Sequence, residues 1–271
     1  MKRHLLLGFF LLLSYGYAQA ANNNYYILGV QDYAKSAITV AREYESLAQY
    51  LAKTLGKPVR IESVKTADEY LKKADAKRYD FMFGPPSMIM AANKRAGYEP
   101  LVKVPGLLSH SFMALSSTGI AFPEDMKGKR VGFYEKDAMI TQLAIAQLKS
   151  ENIDPETYFS KITYYRDFND VLTAMKYNVI DVGVANATLY NVWTSRGNDL
   201  NAIMSGKGVP HLTFAVRPDF PLAQRAALNQ SLLKAHLDGE GKVFFKYNGY
   251  PNFEAAQLKD YEELVAVLGI K

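Results

Sequence analysis

The chain has 271 residues, 49% of them apolar and 22% charged, with a net charge of +5 and no cysteine. That composition excludes a disordered chain, because the apolar fraction is high and the charges are mixed in sign. It also excludes a disulfide scaffold and a thiolate metal site, both of which need cysteine.

The chain opens on an address. Lys2, Arg3 and His4 precede an apolar run from Leu5 to Leu13 broken only by Gly8, and Ala18-Gln19-Ala20 supplies a small-x-small cleavage signal. This is the pattern of a secretory signal peptide cut after Ala20. A membrane anchor needs roughly 20 apolar residues, and this core is shorter. No cysteine follows it, so the processed N-terminus carries no lipid. Cleavage removes Lys2 and Arg3, which lowers the net charge by two, and the remaining basic residues are scattered in pairs such as Lys72-Lys73 and Lys129-Arg130. No nucleic-acid partner is expected from so weak a field. An exported chain without disulfides must rely on its core, and one of this size buries about 70–75% of its unfolded surface.

The mature chain alternates strand and helix signals. Tyr25 to Val30 reads as a strand. Arg42 to Leu55 reads as a helix, with Leu47, Tyr50, Leu51 and Leu55 on one stripe and Gly56 and Pro58 as its stop. Val59 to Val64 is a strand, Ala67 to Ala76 a helix, Tyr79 to Phe83 a buried strand closed by Gly84-Pro85-Pro86-Ser87, Met88 to Arg95 a helix, and Leu101 to Val104 a strand. The pattern restarts with strands at Phe112 to Ser116 and Arg130 to Phe133 and a helix at Met139 to Leu148. It continues with Ile162 to Tyr165 (strand), Asn169 to Tyr177 (helix), Val179 to Val184 (strand), Ala187 to Thr194 (helix), and strands at Ala202 to Met204 and Leu212 to Val216. The remainder is largely helical, with a break at Gly249 to Pro251. Alternation of this kind argues an α/β architecture with mostly parallel sheets. Gly and Pro cluster around Val104 to His110 and Ser205 to His211, which marks two joints. No internal sequence repeat is evident.

Several segments carry a family likeness. Arg42-Glu43-Tyr44-Glu45-Ser46-Leu47-Ala48-Gln49-Tyr50-Leu51 followed by Leu55-Gly56 resembles the opening helix of the phosphonate-type periplasmic solute-binding proteins. Asp80-Phe81-Met82-Phe83-Gly84-Pro85 resembles their third strand and its turn. Asp125-Met126-Lys127-Gly128-Lys129-Arg130-Val131-Gly132-Phe133, Ile153-Asp154-Pro155-Glu156-Thr157-Tyr158-Phe159 and Val179-Ile180-Asp181-Val182-Gly183-Val184 are similar to elements of their second lobe. The order and spacing extend over nearly all the mature chain. The resemblance implies a two-lobe type 2 periplasmic-binding fold, each lobe a sheet flanked by helices, with two crossover strands as hinge. Residues 21–106 plus 209–271 would form a discontinuous first lobe and residues 107–208 the second. It implies a monomer in the periplasm that holds a small-molecule ligand by hinge closure and passes it to an inner-membrane ABC permease. A periplasmic sensing subunit that signals to a membrane kinase or cyclase would share this frame, as would a hydrolase or lyase.

The resemblance places the family's anion site at a Ser/Thr-rich turn before a helix in the second lobe. Here those positions read Lys136-Asp137-Ala138-Met139, with Thr141 the nearest hydroxyl. Asp137 is placed either to cap the helix, taking up the amides an anion needs, or to contact ligand, and in both roles it opposes an anion. Lys136 offsets part of that charge. A His that often contacts ligand in the family corresponds to Phe168, which fits either a hydrophobic staple at a helix start or a ligand contact. Asp32, Tyr33, Lys35 and Ser36 follow the first strand and Asn186 and Thr188 follow the Val179 to Val184 strand, at the strand ends that face ligands in open α/β sheets. Gly84 and Ser87 shape the turn after the third strand, where the amides of Ser87 and Met88 would face the cleft, and Tyr134 ends the strand before Lys136. These residues make a candidate cleft with aromatic walls and mixed charge, suited to a neutral or zwitterionic ligand.

Nothing in the sequence assembles a catalyst. His110, His211 and His236, the histidines left after cleavage, match no metal motif, and no Gly-x-Ser-x-Gly elbow accompanies them. His110 and His211 fall at the two joints, which suits a structural or hinge role. Gly128-Lys129 lacks the glycine spacing of a phosphate loop. No enzyme, metal or cofactor is expected.

Overall fold

Tyr26–Gln31 forms β1, apolar on both faces as a central strand requires. In the computed structural model, which describes residues 24–271, β1 pairs in parallel with β2 (Val59–Val64) and β3 (Phe81–Gly84). The signal peptide and its cut after Ala20 lie outside the described residues. Helix α1 (Ala37–Leu55) starts ahead of the expected Arg42, because Ser36 caps it: Ser36 Oγ accepts from Thr39 N at 3.2 Å. Val40 thereby joins Leu47 and Leu51 on the buried stripe. The helix ends as expected at Gly56, whose φ of 64° suits glycine. Helices α2 (Ala67–Asp75) and α3 (Pro86–Ala96) and strand β4 (Glu99–Lys103) complete this part.

The chain then crosses over through β5 (Leu107–Leu108) into β6 (His110–Leu115), β7 (Arg130–Tyr134), α4 (Met139–Ser150), α5 (Pro155–Tyr158), β8 (Lys161–Tyr165), α6 (Phe168–Lys176), β9 (Val182–Asn186), α7 (Ala187–Ser195) and β10 (Leu200–Ser205). Strand β9 begins later than Val179 because Asn178 turns into the left-handed region, at φ 55°, and Val179 N donates back to Ala174 O. Val179 is therefore helix punctuation, and half exposed. The chain returns through β11 (Val209–Pro210), which pairs antiparallel with β5. It ends in β12 (Thr213–Val216), α8 (Leu222–Lys234), α9 (Gly239–Asn248), β13 (Glu254–Ala255) and α10 (Glu262–Leu268).

Two sheets result, one of six strands in the order β13-β4-β12-β3-β1-β2 and one of five in the order β10-β6-β9-β7-β8. Both are mixed, where the alternation of elements suggested mostly parallel pairing. Strand β12 runs against β3 and β4, and β6 runs against β9 and β10. The cause is the crossing: each of these strands enters its sheet from the hinge, at the end where the βαβ strands finish. The β5–β11 ladder is the hinge itself.

The lobes also share a core. Met88 and Ile89 of α3, Leu108 and Val209 of the hinge strands, Met139, Ile140 and Leu143 of α4, and Leu264 of α10 belong to one buried cluster. Helix α10 packs on both α3 and α4, so the C-terminal helix straddles the seam. No helix among the described residues is long and apolar enough to cross a membrane.

Candidate functional site

A cavity of about 400 Å³ lies between the two sheets beside the hinge. Its wall is made at the ends of strands. Gln31 closes β1 and leads into Asp32 and Tyr33, Phe83 and Gly84 close β3, Tyr134 closes β7, and Asn186 closes β9. These are the carboxyl ends, where open α/β sheets hold ligands. Leu108 of the hinge and His211 and Leu212 beyond it form the back, and Tyr44 of α1 and Tyr250 after α9 close the side.

Aromatic rings dominate. Tyr134 and Phe168 stack with centroids 4.2 Å apart at 26°, giving a flat double platform on the second lobe. Tyr33, from the first lobe, meets Tyr134 edge-on at 5.7 Å and 89°, so the two lobes touch through these rings. The Tyr33 hydroxyl is buried without a hydrogen-bond partner. Burial raises the phenols of Tyr33 and Tyr134, and the nearby carboxylates add to it: Asp137 and Glu135 for Tyr33, Asp32 and then Asp167 and Glu135 for Tyr134. Burial pushes Tyr250 up to about 12, with Glu43 adding to it. All these phenols are neutral donors at neutral pH.

The charges come from the first lobe. Lys35 Nζ lies 2.6 Å from Glu43 Oε2 and 3.5 Å from Asp32 Oδ2. Asp32 Oδ1 also accepts from the amides of Ala34 and Lys35, which fixes the turn after β1. Glu43 is 8% exposed although charged. His211 is neutral, because burial drops its pKa to about 4. Its Nδ1 accepts from Leu212 N at 2.7 Å, so the ring carries its proton on Nε2.

Of the residues expected to bind, Asp32, Tyr33, Gly84, Tyr134, Phe168 and Asn186 line this cavity, together with Lys35. The others do not. Ser36 is an exposed cap whose hydroxyl is used on Thr39. Thr188 is exposed and donates to Asn186 Oδ1. Ser87 and Asp137 line a separate hollow of about 290 Å³ beside Leu268 and Ile270, because α3 starts at Pro86 and turns Ser87 away from the cavity. The Met88 amide is taken by Pro85 O at 3.0 Å. Lys136 is exposed and absent from the wall.

Two roles change with the geometry. Asp137 does not cap α4. The cap is Ala138, which offers no side-chain acceptor, because the helix begins one residue later than an Asp137 cap requires. The first turn of α4 therefore keeps its amides free of side-chain partners, and Ala138, Met139 and Ile140 border the cavity. Thr141 turns its hydroxyl back onto Tyr134 O at 2.8 Å. Phe168 is not a staple: Asp167 is the cap of α6, so Phe168 is the first helical residue rather than the one before the cap. Glu43, Tyr44, Met139, His211 and Tyr250 were not among the expected ligand residues. Glu43 left one signal, a carboxylate placed between Val40 and Leu47 on a helical apolar stripe.

The geometry defines a class: two α/β lobes, two antiparallel crossover strands, and a cavity walled by both lobes at the hinge make a periplasmic-binding-protein fold. Residues 34–261 match the family model described as ABC transporter, phosphonate, periplasmic substrate-binding protein, and the chain belongs to this family. Among solved structures, the chain is similar to PhnD1 from Prochlorococcus marinus (MIT 9301) in complex with methylphosphonate, with a TM-score of 0.77 at 11% identity over 90% of this chain and 97% of that one. It is similar to XAC2383 from Xanthomonas citri bound to ATP, with a TM-score of 0.75 at 14% identity over 91% and 96% of the two chains. A binding protein component of an ABC phosphonate transporter from Pseudomonas aeruginosa gives a TM-score of 0.74 at 15% identity over 90% and 85%. No protein with a curated description matches the sequence. The protein is thus a periplasmic substrate-binding component of the ABC transporter type.

Proposed function

We propose that the protein captures a small neutral or zwitterionic solute in the interlobe cavity by hinge closure and delivers it, unaltered and as a monomer, to an inner-membrane ABC permease. The observation that carries this reading is the composition of the cavity wall. Two carboxylates, Asp32 and Glu43, face a single ammonium, Lys35. Among the described residues the wall holds no arginine, serine or threonine, so a phosphonate dianion would meet two carboxylates and a single cationic side chain. Each missing polar partner of a buried anion costs on the order of 1–3 kcal/mol. The free amides of α4 suit one acceptor end of a ligand, and the aromatic walls suit its apolar body.

The test is a thermal-shift screen of the purified protein against a solute library, followed by small-angle scattering with each hit. A ligand that binds the folded state alone adds about 2.7 kcal/mol of stability at a hundredfold excess over Kd. The expected hits are neutral or zwitterionic solutes that raise Tm and compact the particle. Submicromolar binding of a phosphonate or phosphite overturns the ligand part. Loss of uptake of the hit in cells lacking the protein tests delivery to the permease.

A further inference from the structure

Glu43 is the least expected residue of the cavity. Its side chain is more than nine-tenths buried, yet it lines open space rather than packed core. Oε2 is held by Lys35, whereas Oε1 has no hydrogen-bond partner among the described residues. Gln31, equally buried, borders the same space. A carboxylate this nearly buried, held by one cation on one oxygen, favours a second positive group beside it.

The charge balance says what is missing. Lys35 is the one cation on the described wall, against Asp32 and Glu43, so the wall is acidic by one unit. Glu135 and Asp137 add to this field at Tyr33, and Asp32, Glu135 and Asp167 at Tyr134. Two cations lie outside it: Lys136 is exposed, and Arg166 is exposed and paired with Glu135 at 3.4 Å. Among the described residues the other positive feature at the wall is the first turn of α4, whose amides serve an acceptor group.

Ring faces complete the setting. Tyr44, Tyr134, Phe168 and Tyr250 border the same space as Glu43. A cation over an aromatic face is attracted by the ring, and more strongly where water is excluded. Anionic groups gain nothing from such faces.

We propose that the cavity recognises an organic ammonium group, seated against Glu43 and the tyrosine rings, as one end of its ligand. This rests on the reading of the protein as a solute-binding component and narrows its ligand. An oxyanion-only ligand adds negative charge beside Glu43, whereas an ammonium zwitterion brings its cation to Glu43 and an acceptor end to the α4 amides.

The test uses pairs of equal shape that differ in the charge alone. Calorimetric titration of the purified protein would compare glycine betaine with 3,3-dimethylbutanoate, and choline with 3,3-dimethylbutan-1-ol, beside methylphosphonate. The expected result is at least tenfold tighter binding of the ammonium member of a pair. Glu43→Gln should remove that preference, and Tyr134→Leu should weaken the ammonium member more than its isostere. The comparison of isosteres needs no variant, so it stands if Glu43→Gln fails to fold. Equal binding within both pairs, or tighter binding of the isosteres, overturns the ammonium assignment. Binding of methylphosphonate or another solute without an ammonium group, with no ammonium compound bound, overturns it too, and leaves the solute-binding reading intact. Absence of binding by these probes and by the whole solute library overturns both.

Discussion

The two lobes solve one structural problem with one device. In the first, Asp80 N donates to Ile27 O at 2.9 Å, and Ile27 N donates back to Asp80 Oδ2 at 2.7 Å. In the second, Asp181 N donates to Arg130 O at 2.9 Å, and Arg130 N donates back to Asp181 Oδ2 at 2.8 Å. The next residues are in register: Leu28 pairs with Phe81 and Val131 with Val182. Two residues after each amide stands a glycine, Gly29 or Gly132, on which the residue before the aspartate packs, Tyr79 or Ile180. The environments differ. Arg130 supplies its own guanidinium to Asp181, at 3.0 and 2.7 Å. Asp80 is 8% exposed, and its nearest cation, Arg217, arrives 3.3 Å away from the far side of the return crossover. The second lobe closes its clasp locally, and the first closes it only after the chain has come back.

The opposite ends of the same strands have diverged. After β1 the first lobe places Asp32 and Lys35, with Glu43 behind them. After β7 the second lobe places Tyr134 against Phe168 and leaves α4 without a side-chain cap. The clasped ends hold the frame, and the cleft ends carry charge on one side and rings on the other.

That contrast breaks most visibly at the buried aspartate. Asp80→Ala leaves the buried Ile27 N–H without its acceptor and removes one of the two carboxylate partners of Arg217. It should cost about 3 kcal/mol. Asp181→Ala should cost about 1–2 kcal/mol, because water reaches the half-exposed Arg130. Urea denaturation of both variants checks the order, and equal losses would falsify the claim that burial separates the two clasps. The glycines come next. A Cβ on Gly29 would lie 2.6 Å from the ring of fully buried Tyr79. One on Gly132 would lie 2.4 Å from Ile180 Cδ1, the end of a flexible chain, and 2.9 Å from Cε2 of the half-buried Tyr165 ring. Gly29→Ala should therefore cost about 2–3 kcal/mol and Gly132→Ala about 1–2, to be read from the same denaturation curves.

How far this was legible in the sequence follows from how local each feature is. Helix α1, its stop at Gly56 and the strand–helix alternation come from periodicity and punctuation within a short window. The reversed directions of β6 and β12 do not, because they depend on which end of a sheet the chain enters after crossing. The repeated clasp shares only glycine and aspartate between the lobes, so no comparison of the two halves by sequence finds it. At the site, the strand-end rule located Asp32, Tyr33, Gly84, Tyr134 and Asn186. It misplaced Ser36 and Thr188, which lie next to the cleft but spend their polar groups on helix starts. Tyr250 and His211 reach the cavity from the C-terminal half through contacts that no spacing encodes. Glu43 was legible as an oddity on an apolar stripe, though not as a cavity group.

The smallest expected effect sharpens the comparison by its sign. Burial raises the Asp80 carboxyl, a rise that the Ile27 amide and Arg217 only partly oppose. The Arg130 hydrogen bond lowers Asp181, against a smaller effect of burial. A carboxyl raised in the fold favours the folded state below its unfolded value, and that contribution is lost as pH rises through the folded value. A carboxyl lowered in the fold contributes above its unfolded value, and that contribution is lost as pH falls through the folded one. The stability difference between the wild type and Asp80→Asn should therefore shrink as pH rises from the ordinary aspartate range, near about 4. The difference between the wild type and Asp181→Asn should grow as pH rises out of strong acid. Unfolding free energies measured for the three proteins across acid to neutral pH would show the two slopes with opposite sign. Slopes of the same sign would mean that the two clasps, alike in geometry, are also alike in electrostatics.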